Sequence, residues 1–367
     1  MMSALSGSRK GWLDLCRGIL MCFVFLYHSE VFYGEGHLLA WTFSPIFLTG
    51  FFFISGYLFT SDWEKVNIRQ KWMQVLRGIL IPYIIFMQAF LLPKLGILNY
   101  DWRVTLCDIF LLRASWFVIA IGVLQMLYAI TIKTICNTLQ FLLCSIVFTL
   151  IGYGFIVLYR DLPDWISKNP ILHSSSMPGC LPACVNLAFM ASPFFSLGIL
   201  YRKYENKIRL SANLVLGIVV FLIYVSIVCI DHYTIQTSFT FASCESSNYL
   251  LMIFYFTIAM SSLIMICKKV DTIKPLNYIG ENTLLFYYFN ILMLRVAGML
   301  YNKFIVMANL THYKENIGYG NYIIVTFLAI IGTFPIVWFI NKYMPLLTGN
   351  KATFNKLSQK IGLNINW

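Results

Sequence analysis

The sequence predicts an all-α membrane protein, a polytopic bundle of about ten transmembrane helices with both termini in the cytoplasm. Of its 367 residues, 59% are hydrophobic and only 11% are charged, whereas a soluble domain has about half apolar residues and about a quarter charged ones. The apolar residues form runs of about 20, the length that crosses a bilayer. Within lipid these runs must be helical, because an open strand leaves backbone groups unpaired. We therefore predict one membrane domain over residues 11–343, between cytoplasmic segments at 1–10 and 344–367.

Lys and Arg fix the predicted orientation. The predicted spans cover residues 11–32, 38–60, 76–93, 112–132, 139–158, 183–201, 212–231, 248–267, 282–300 and 320–343. With the N-terminus in the cytoplasm, 18 of the 27 basic residues fall on the cytoplasmic side and seven, including Arg113, on the outer side. This bias is typical of an integral protein of the cell or inner membrane. The net charge of +12 thus needs no nucleic-acid partner, and we predict none; membrane lipids surround the chain.

Two outer connections, 159–182 and 301–319, are long, polar and aromatic. They are either simple connectors or a lid over an acceptor site. The ten cysteines are scattered without metal-ligand spacing, so we predict no metal. Cys180 lies in the first of these loops and Cys184 directly after it, either as a disulfide or as free thiols, since a cysteine count does not set connectivity.

The first span carries an arginine and a histidine on one face. Arg17 and His28 are eleven residues apart, which is about three turns plus 20°, and they lie roughly 16 Å apart along the axis. Asp14 is close enough to pair with Arg17, while Glu30 lies off this face. The structural alternative is a snorkelling arginine and a hydrogen-bonded histidine. Because ionisable groups within a membrane are costly, the pair more strongly indicates a functional site.

Further motifs surround this pair in the sequence. Ser55 and Gly56 interrupt an aromatic run, which indicates either close helix packing or a site. Arg69, Lys71 and Arg77 precede Pro82 and Tyr83; they are either ordinary cytoplasmic charges or an anion site for a phosphorylated cofactor.

The later motifs place aromatic and polar groups inside the bundle. Trp116 opens the fourth span and is either an interfacial anchor or part of a site. Asn282 and Thr283 suit a helix start after Gly280. Tyr287 and Asn290 then lie within the ninth span.

In this order, these stretches resemble the membrane-bound acyltransferase 3 family, and within it the fucose 4-O-acetylase-like subgroup. The carrying residues are Trp12, Asp14, Arg17, Gly18 and His28; the run Phe52 to Tyr57; Arg69, Arg77, Pro82 and Tyr83; Trp116 and Phe117; and Gly280, Thr283, Leu284 and Tyr287. The resemblance covers residues 10 to about 340. Two departures are Asn290, where the family often has His, and Phe47 to Thr49, where some members have His-Met-Pro.

The resemblance implies an O-acetyltransferase that moves an acetyl group from cytosolic acetyl-CoA to a sugar or glycan acceptor, lipid-linked or polymeric, in the cell envelope. It implies His28 as the catalytic base and Arg17 as its partner. Arg17, Arg69, Arg77 and Tyr83 are expected to bind the acyl donor, and Ser55, Trp116, Tyr287 and Asn290 the acceptor. A polytopic exporter of a glycan or small solute is the alternative, although inverted repeats and broken midplane helices typical of transporters do not stand out.

Overall fold

The computed structural model shows a bundle of long helices. It describes residues 10–34, 38–60, 62–86, 102–135, 137–160, 180–208, 210–241, 244–307, 320–349 and 353–355. The helices are α1 Gly11–Tyr33, α2 Leu38–Phe43, α3 Phe47–Phe59, α4 Ile68–Val75, α5 Trp102–Phe110, α6 Trp116–Thr134, α7 Thr138–Arg160, α8 Val185–Ile208, α9 Leu214–Tyr233, α10 Tyr249–Val270, α11 Lys274–Glu281, α12 Thr283–Met307 and α13 Gly320–Tyr343. A π-helical turn, Leu76–Leu80, follows α4, and residues 81–86 continue it as helix.

Among the described residues, nine helical segments are long and apolar enough to cross a membrane. They correspond to nine of the ten predicted spans and confirm the predicted polytopic helix bundle. The remaining span, 76–93, continues past residue 86 outside the described residues, as do most of the two outer connections proposed as a lid.

Two predicted spans differ in detail from the observed helices. The second is interrupted by a turn at residues 44–46, between α2 and α3. The fourth begins at Trp116 instead of residue 112, because the backbone N–H groups of Arg113 and Ala114 both donate to the carbonyl oxygen of Asp108, at 2.8 and 3.1 Å.

Arg113, which the sequence assigns to the outer side of the membrane, is not exposed to solvent. Its side chain is fully buried, and its Nε lies 3.0 Å from Oδ1 of Asp108, which is itself buried. A charge placed in an apolar interior requires such a partner. The sequence alone does not reveal this ion pair, because it forms across the turn between α5 and α6.

Asparagine side chains begin four of the described helices. Asn67, Asn137, Asn213 and Asn248 precede α4, α7, α9 and α10, and each accepts a hydrogen bond from the backbone N–H three residues later, at 2.9 Å for Asn137 and 3.1 Å for the others. Each cap satisfies one of the N–H groups that a helix start leaves unpaired.

Glycines allow α3 and α8 to touch along their backbones. A Cβ atom on Gly56 would overlap the carbonyl oxygen of Phe195, and one on Gly198 would overlap that of Phe53. The small Ser55–Gly56 step in the aromatic run therefore serves close helix packing at Gly56.

A two-stranded antiparallel hairpin, β1 Phe239–Thr240 and β2 Glu245–Ser246, connects α9 and α10, with Phe239 opposite Ser246. Phe241, at its turn, is buried and lies 5.5 Å from the rings of both Phe52 and Trp116. The hairpin thus contributes an aromatic side chain to the interior of the bundle.

One carboxylate joins the ends of four helices. Glu205 of α8 lies 2.8 Å from Lys268, 3.1 Å from Lys10 and 3.4 Å from Arg202, and it accepts a hydrogen bond from the Tyr57 hydroxyl at 2.6 Å. We call these five residues the Glu205 cluster. Three cations around one anion mark this end of the bundle as basic, as expected for its cytoplasmic side.

Candidate active site

The start of α1 is fixed against the segment that leads into α12. The backbone N–H of Trp12 donates to Asp271 Oδ1 at 3.0 Å, and Asn277 Nδ2 donates to the carbonyl oxygen of Gly11 at 2.9 Å. A Cβ atom on Gly18 would overlap the carbonyl oxygen of Leu276, and one on Gly280 would overlap that of Asp14. Both glycines belong to the predicted motifs, and together they bring α1 and α11 into backbone contact.

This contact places Arg17 beside the start of α12. Its Nη1 lies 3.5 Å from Asp14 Oδ1, three residues earlier, which confirms the predicted pairing. Its Nη2 donates to the hydroxyl oxygen of Thr283 at 2.6 Å. The Arg17 side chain remains 22% exposed. It is therefore held in place at two points while keeping access to a ligand.

The face of α1 that carries Arg17 and His28 points between two helices. Leu20 and Tyr27 lie about 60–80° to one side of Arg17 and contact α3, where the Tyr27 ring stacks 4.8 Å from Phe47. Phe25 lies about 80° to the other side and contacts Phe286 of α12, with ring centroids 6.4 Å apart. The shared face therefore opens between α3 and α12.

Helix α6 packs across from this face of α1. The ring of Phe117 lies 5.7 Å from Phe51 and 5.2 Å from Phe52 on α3, and 5.5 Å from Tyr287 on α12. We call the region where helices α1, α3, α6 and α12 meet the α1 compartment.

His28 lies on the wall of this compartment, roughly 16 Å along α1 from Arg17. Its imidazole is half-buried and makes no hydrogen bond within the part of the chain that the structure describes. Among these residues, His28 therefore lacks the hydrogen-bond partner that the structural alternative requires. Glu30 serves elsewhere, because its buried carboxylate accepts the backbone N–H of Leu39 at 3.1 Å.

The four predicted acceptor-binding residues lie on the helices that surround the compartment. Ser55 lies one turn from Phe51 on α3, toward the Glu205 cluster. Trp116 begins α6, and its ring lies 5.5 Å from that of the buried Phe241. Tyr287 and Asn290 lie on α12 near the face of Thr283. Asn290 is buried, and its Nδ2 has no hydrogen-bond partner among the described residues.

The predicted donor-binding residues differ in their surroundings. Arg69 is exposed on α4. Arg77, on the π-helical turn, is buried, and its Nε and Nη1 lack hydrogen-bond partners among the described residues. Such a guanidinium is suited to an anion. Tyr83 instead packs against α5, where its hydroxyl donates to the carbonyl oxygen of Ile109 at 3.3 Å; its donor-binding role stays a prediction.

The Lys71 side chain also contacts the end of α3. Its Nζ donates to the carbonyl oxygen of Phe59 at the end of α3 and lies 4.3 Å from the Phe59 ring centroid. Burial lowers the pKa of Lys71 to about 8. Since the amine contacts the end of α3, it serves the attachment of α4 to the bundle.

Comparison with known families supplies the reaction class. Residues 10–342 match the acyltransferase domain of the acyltransferase 3 family. The chain belongs to this family. No curated protein and no solved structure matches the chain. Together with the nine apolar helices among the described residues, family membership makes the protein a multi-pass membrane acyltransferase, and it favours this interpretation over that of an exporter.

Three further residues contact the candidate site residues, although the sequence alone predicts no site role for them. Ser115 donates a hydrogen bond to the Tyr287 hydroxyl at 3.3 Å, Thr283 accepts from Arg17, and Phe117 joins α3 to α12 through its ring contacts. Each lies inside or next to a recognised motif. That proximity is the available signal, because their partners come from distant parts of the chain.

Proposed function

We propose that the protein transfers an acetyl group from cytosolic acetyl-CoA to a hydroxyl of a sugar, on a surface polysaccharide or glycolipid of the cell envelope. The observation that carries this proposal is the position of Arg17 and His28 on one face of α1, opening into the α1 compartment. Helix α1 thus offers a cationic group toward the basic, cytoplasmic end and a titratable base farther outward.

The donor enters from the cytoplasmic side in this proposal. Arg17 has partial exposure, and Arg77 has buried N–H groups without partners among the described residues; both suit CoA phosphates, with Arg69 near the entrance. The roughly 16 Å between Arg17 and His28 suits an extended pantetheine arm. The thioester then lies near His28, and acetyl-CoA itself need not cross the membrane.

His28 acts as the general base. A sugar hydroxyl is a weak nucleophile at neutral pH, and imidazole is the side chain best suited to take its proton. As the proton moves to His28, the hydroxyl oxygen attacks the thioester carbonyl carbon. The carbon–sulfur bond then breaks, and the CoA thiolate takes the proton from the imidazolium. A variant of this reaction passes the acetyl group through His28 as acetyl-imidazole.

Tyr287 is the better of the two predicted oxyanion donors. Its hydroxyl oxygen accepts a hydrogen bond from Ser115, which leaves its own proton to donate to the developing oxyanion. Ser55 lies farther toward the cytoplasm and serves the acceptor or the pantetheine arm. Trp116 and Asn290 supply an aromatic face and an amide for the sugar.

Inside-out membrane vesicles test this function. Acetyl-CoA labelled in the acetyl group is expected to transfer its label to the glycan or glycolipid fraction, whereas acetyl-CoA labelled in the adenine is not. Vesicles from cells that lack the protein provide the background. Equal acetyl labelling of the glycan with and without the protein would refute the proposal.

A further inference from the structure

Two cysteine side chains meet at the end of α8 that lies opposite the Glu205 cluster. The Sγ atoms of Cys180 and Cys184 lie 3.2 Å apart, and both residues are fully buried. The two side chains are thiols in this structure, and their sulfurs lie about 1 Å farther apart than in a disulfide bond.

Helix length places this pair on the outer side of the membrane. Helix α8 begins directly after Cys184, and Glu205 lies 20 residues beyond its first residue, Val185. Twenty residues of helix span about 30 Å, the thickness of the hydrocarbon core. Since the Glu205 cluster marks the basic, cytoplasmic end, the two cysteines lie on the opposite side, where disulfides form and persist.

The cysteines belong to a strained turn. Ala183 and Cys184 both have φ of 54°, in the left-handed region that non-glycine residues rarely adopt. Leu112, in the facing turn before α6, also has a positive φ of 56°. Such backbone persists only where the surroundings fix it, which is the role that a covalent link across the turn fulfils.

The same turn is docked onto the residues that precede Trp116. The backbone N–H of Ala183 donates to the carbonyl oxygen of Leu111 at 2.7 Å. Arg113 Nη1 donates to the carbonyl oxygen of Cys180 at 3.4 Å, and Cys184 Sγ lies 3.2 Å from that of Leu112. Anything that stiffens residues 180–184 therefore also stiffens the turn that positions Ser115 and Trp116.

We propose that Cys180 and Cys184 form a disulfide that fixes this turn on the outer side of the acyltransferase. In forming the S–S bond, the two thiols lose two protons and two electrons. The oxidant is a disulfide compound or thiol oxidoreductase of the outer compartment, whose own disulfide becomes two thiols by exchange. The exchange precedes burial of the turn during folding. This proposal does not depend on the identity of the acyl donor or acceptor.

Differential alkylation tests the bond. Membranes are denatured in the presence of one maleimide, then reduced and treated with an isotopically heavy maleimide, and the peptide containing both cysteines is analysed by mass spectrometry. Heavy label on Cys180 and Cys184, with light label on Cys229, is the expected result. Light label on both Cys180 and Cys184 would overturn the proposal, and so would a link from either of them to Cys244.

A stability measurement separates the bond from a mere packing contact. Reductant is expected to lower the melting temperature of the purified wild-type protein by several degrees. The double variant Cys180→Ser/Cys184→Ser should melt near the reduced wild type and show no response to reductant. Cys229→Ser, the matched control, should respond as the wild type does. A wild-type melting temperature that is indifferent to reductant would contradict the proposal.

Discussion

The backbone contact between α1 and α11 offers a sharp test of how the site is positioned. Gly280→Ala adds one methyl group, whose carbon would overlap the carbonyl oxygen of Asp14 and lie 2.6 Å from its carbonyl carbon. Carbon atoms in good contact are about 3.5–4.0 Å apart, so the two helices must separate by at least about 1 Å. Because Thr283 follows Gly280 by one turn, this displacement moves the acceptor oxygen away from Arg17.

Both stability and activity should respond to this displacement. Forcing a methyl group into a packed interface costs about 1–3 kcal/mol, and a shift of about 1 Å in a catalytic site can lower a rate by about a hundredfold. We therefore expect Gly280→Ala to fold with a reduced melting temperature and to lose most of its acetyl-transfer activity, measured in membranes at equal protein content.

A second glycine provides the matched control. Gly154, in the middle of α7, has no atom within 4 Å of its added Cβ. Gly154→Ala should therefore be neutral or stabilise the helix by about 0.5–1 kcal/mol, with unchanged activity. Wild-type stability and activity in Gly280→Ala would refute the account of the α1–α11 contact.

Three further substitutions follow from individual contacts. Thr283→Val removes the hydroxyl that accepts from Arg17, and should lower kcat/KM for acetyl transfer about tenfold at an unchanged melting temperature; an unchanged rate would contradict the positioning role. The pKa of Lys71 is lowered in the folded protein, so the unfolded chain binds more protons between pH 8 and 10. The free energy of unfolding of the wild type should therefore rise across this range, and that of Lys71→Met should not. Glu205→Gln leaves three cations facing one another and should lower the melting temperature, less so at high salt, whereas Asp62→Asn, at an exposed ion pair, should not.

The sequence predicts the bundle well because lipid leaves few choices. An apolar run of about 20 residues must be a helix across the bilayer, and nine of the ten predicted spans correspond to helices of this kind. The register of Arg17 with His28 is equally predictable, since it depends only on helix geometry.

Long-range pairing accounts for what the sequence leaves hidden. Arg113 is assigned to the outer side by the sequence, but only the structure shows that its side chain is buried beside Asp108, because a turn brings the two together. Tyr83 is predicted to bind the donor, and the sequence does not reveal that its hydroxyl also contacts the backbone of α5. Thr283 lies beside Arg17 only because Gly18 and Gly280 allow α11 to pack against α1. In each case the decisive partner lies on another element.

The central claim is that His28, facing the α1 compartment, is the base for acyl transfer. The direct measurement compares initial rates of acetyl transfer by wild type, His28→Ala and the matched control His232→Ala in membranes with equal amounts of folded protein. His232 lies in the last turn of α9 against Trp41, with ring centroids 3.8 Å apart, and α9 is not one of the four helices of the compartment. The account predicts that His28→Ala loses transfer by about a hundredfold or more while His232→Ala retains it. A His28→Ala variant that transfers acetyl groups at the wild-type rate would contradict the account.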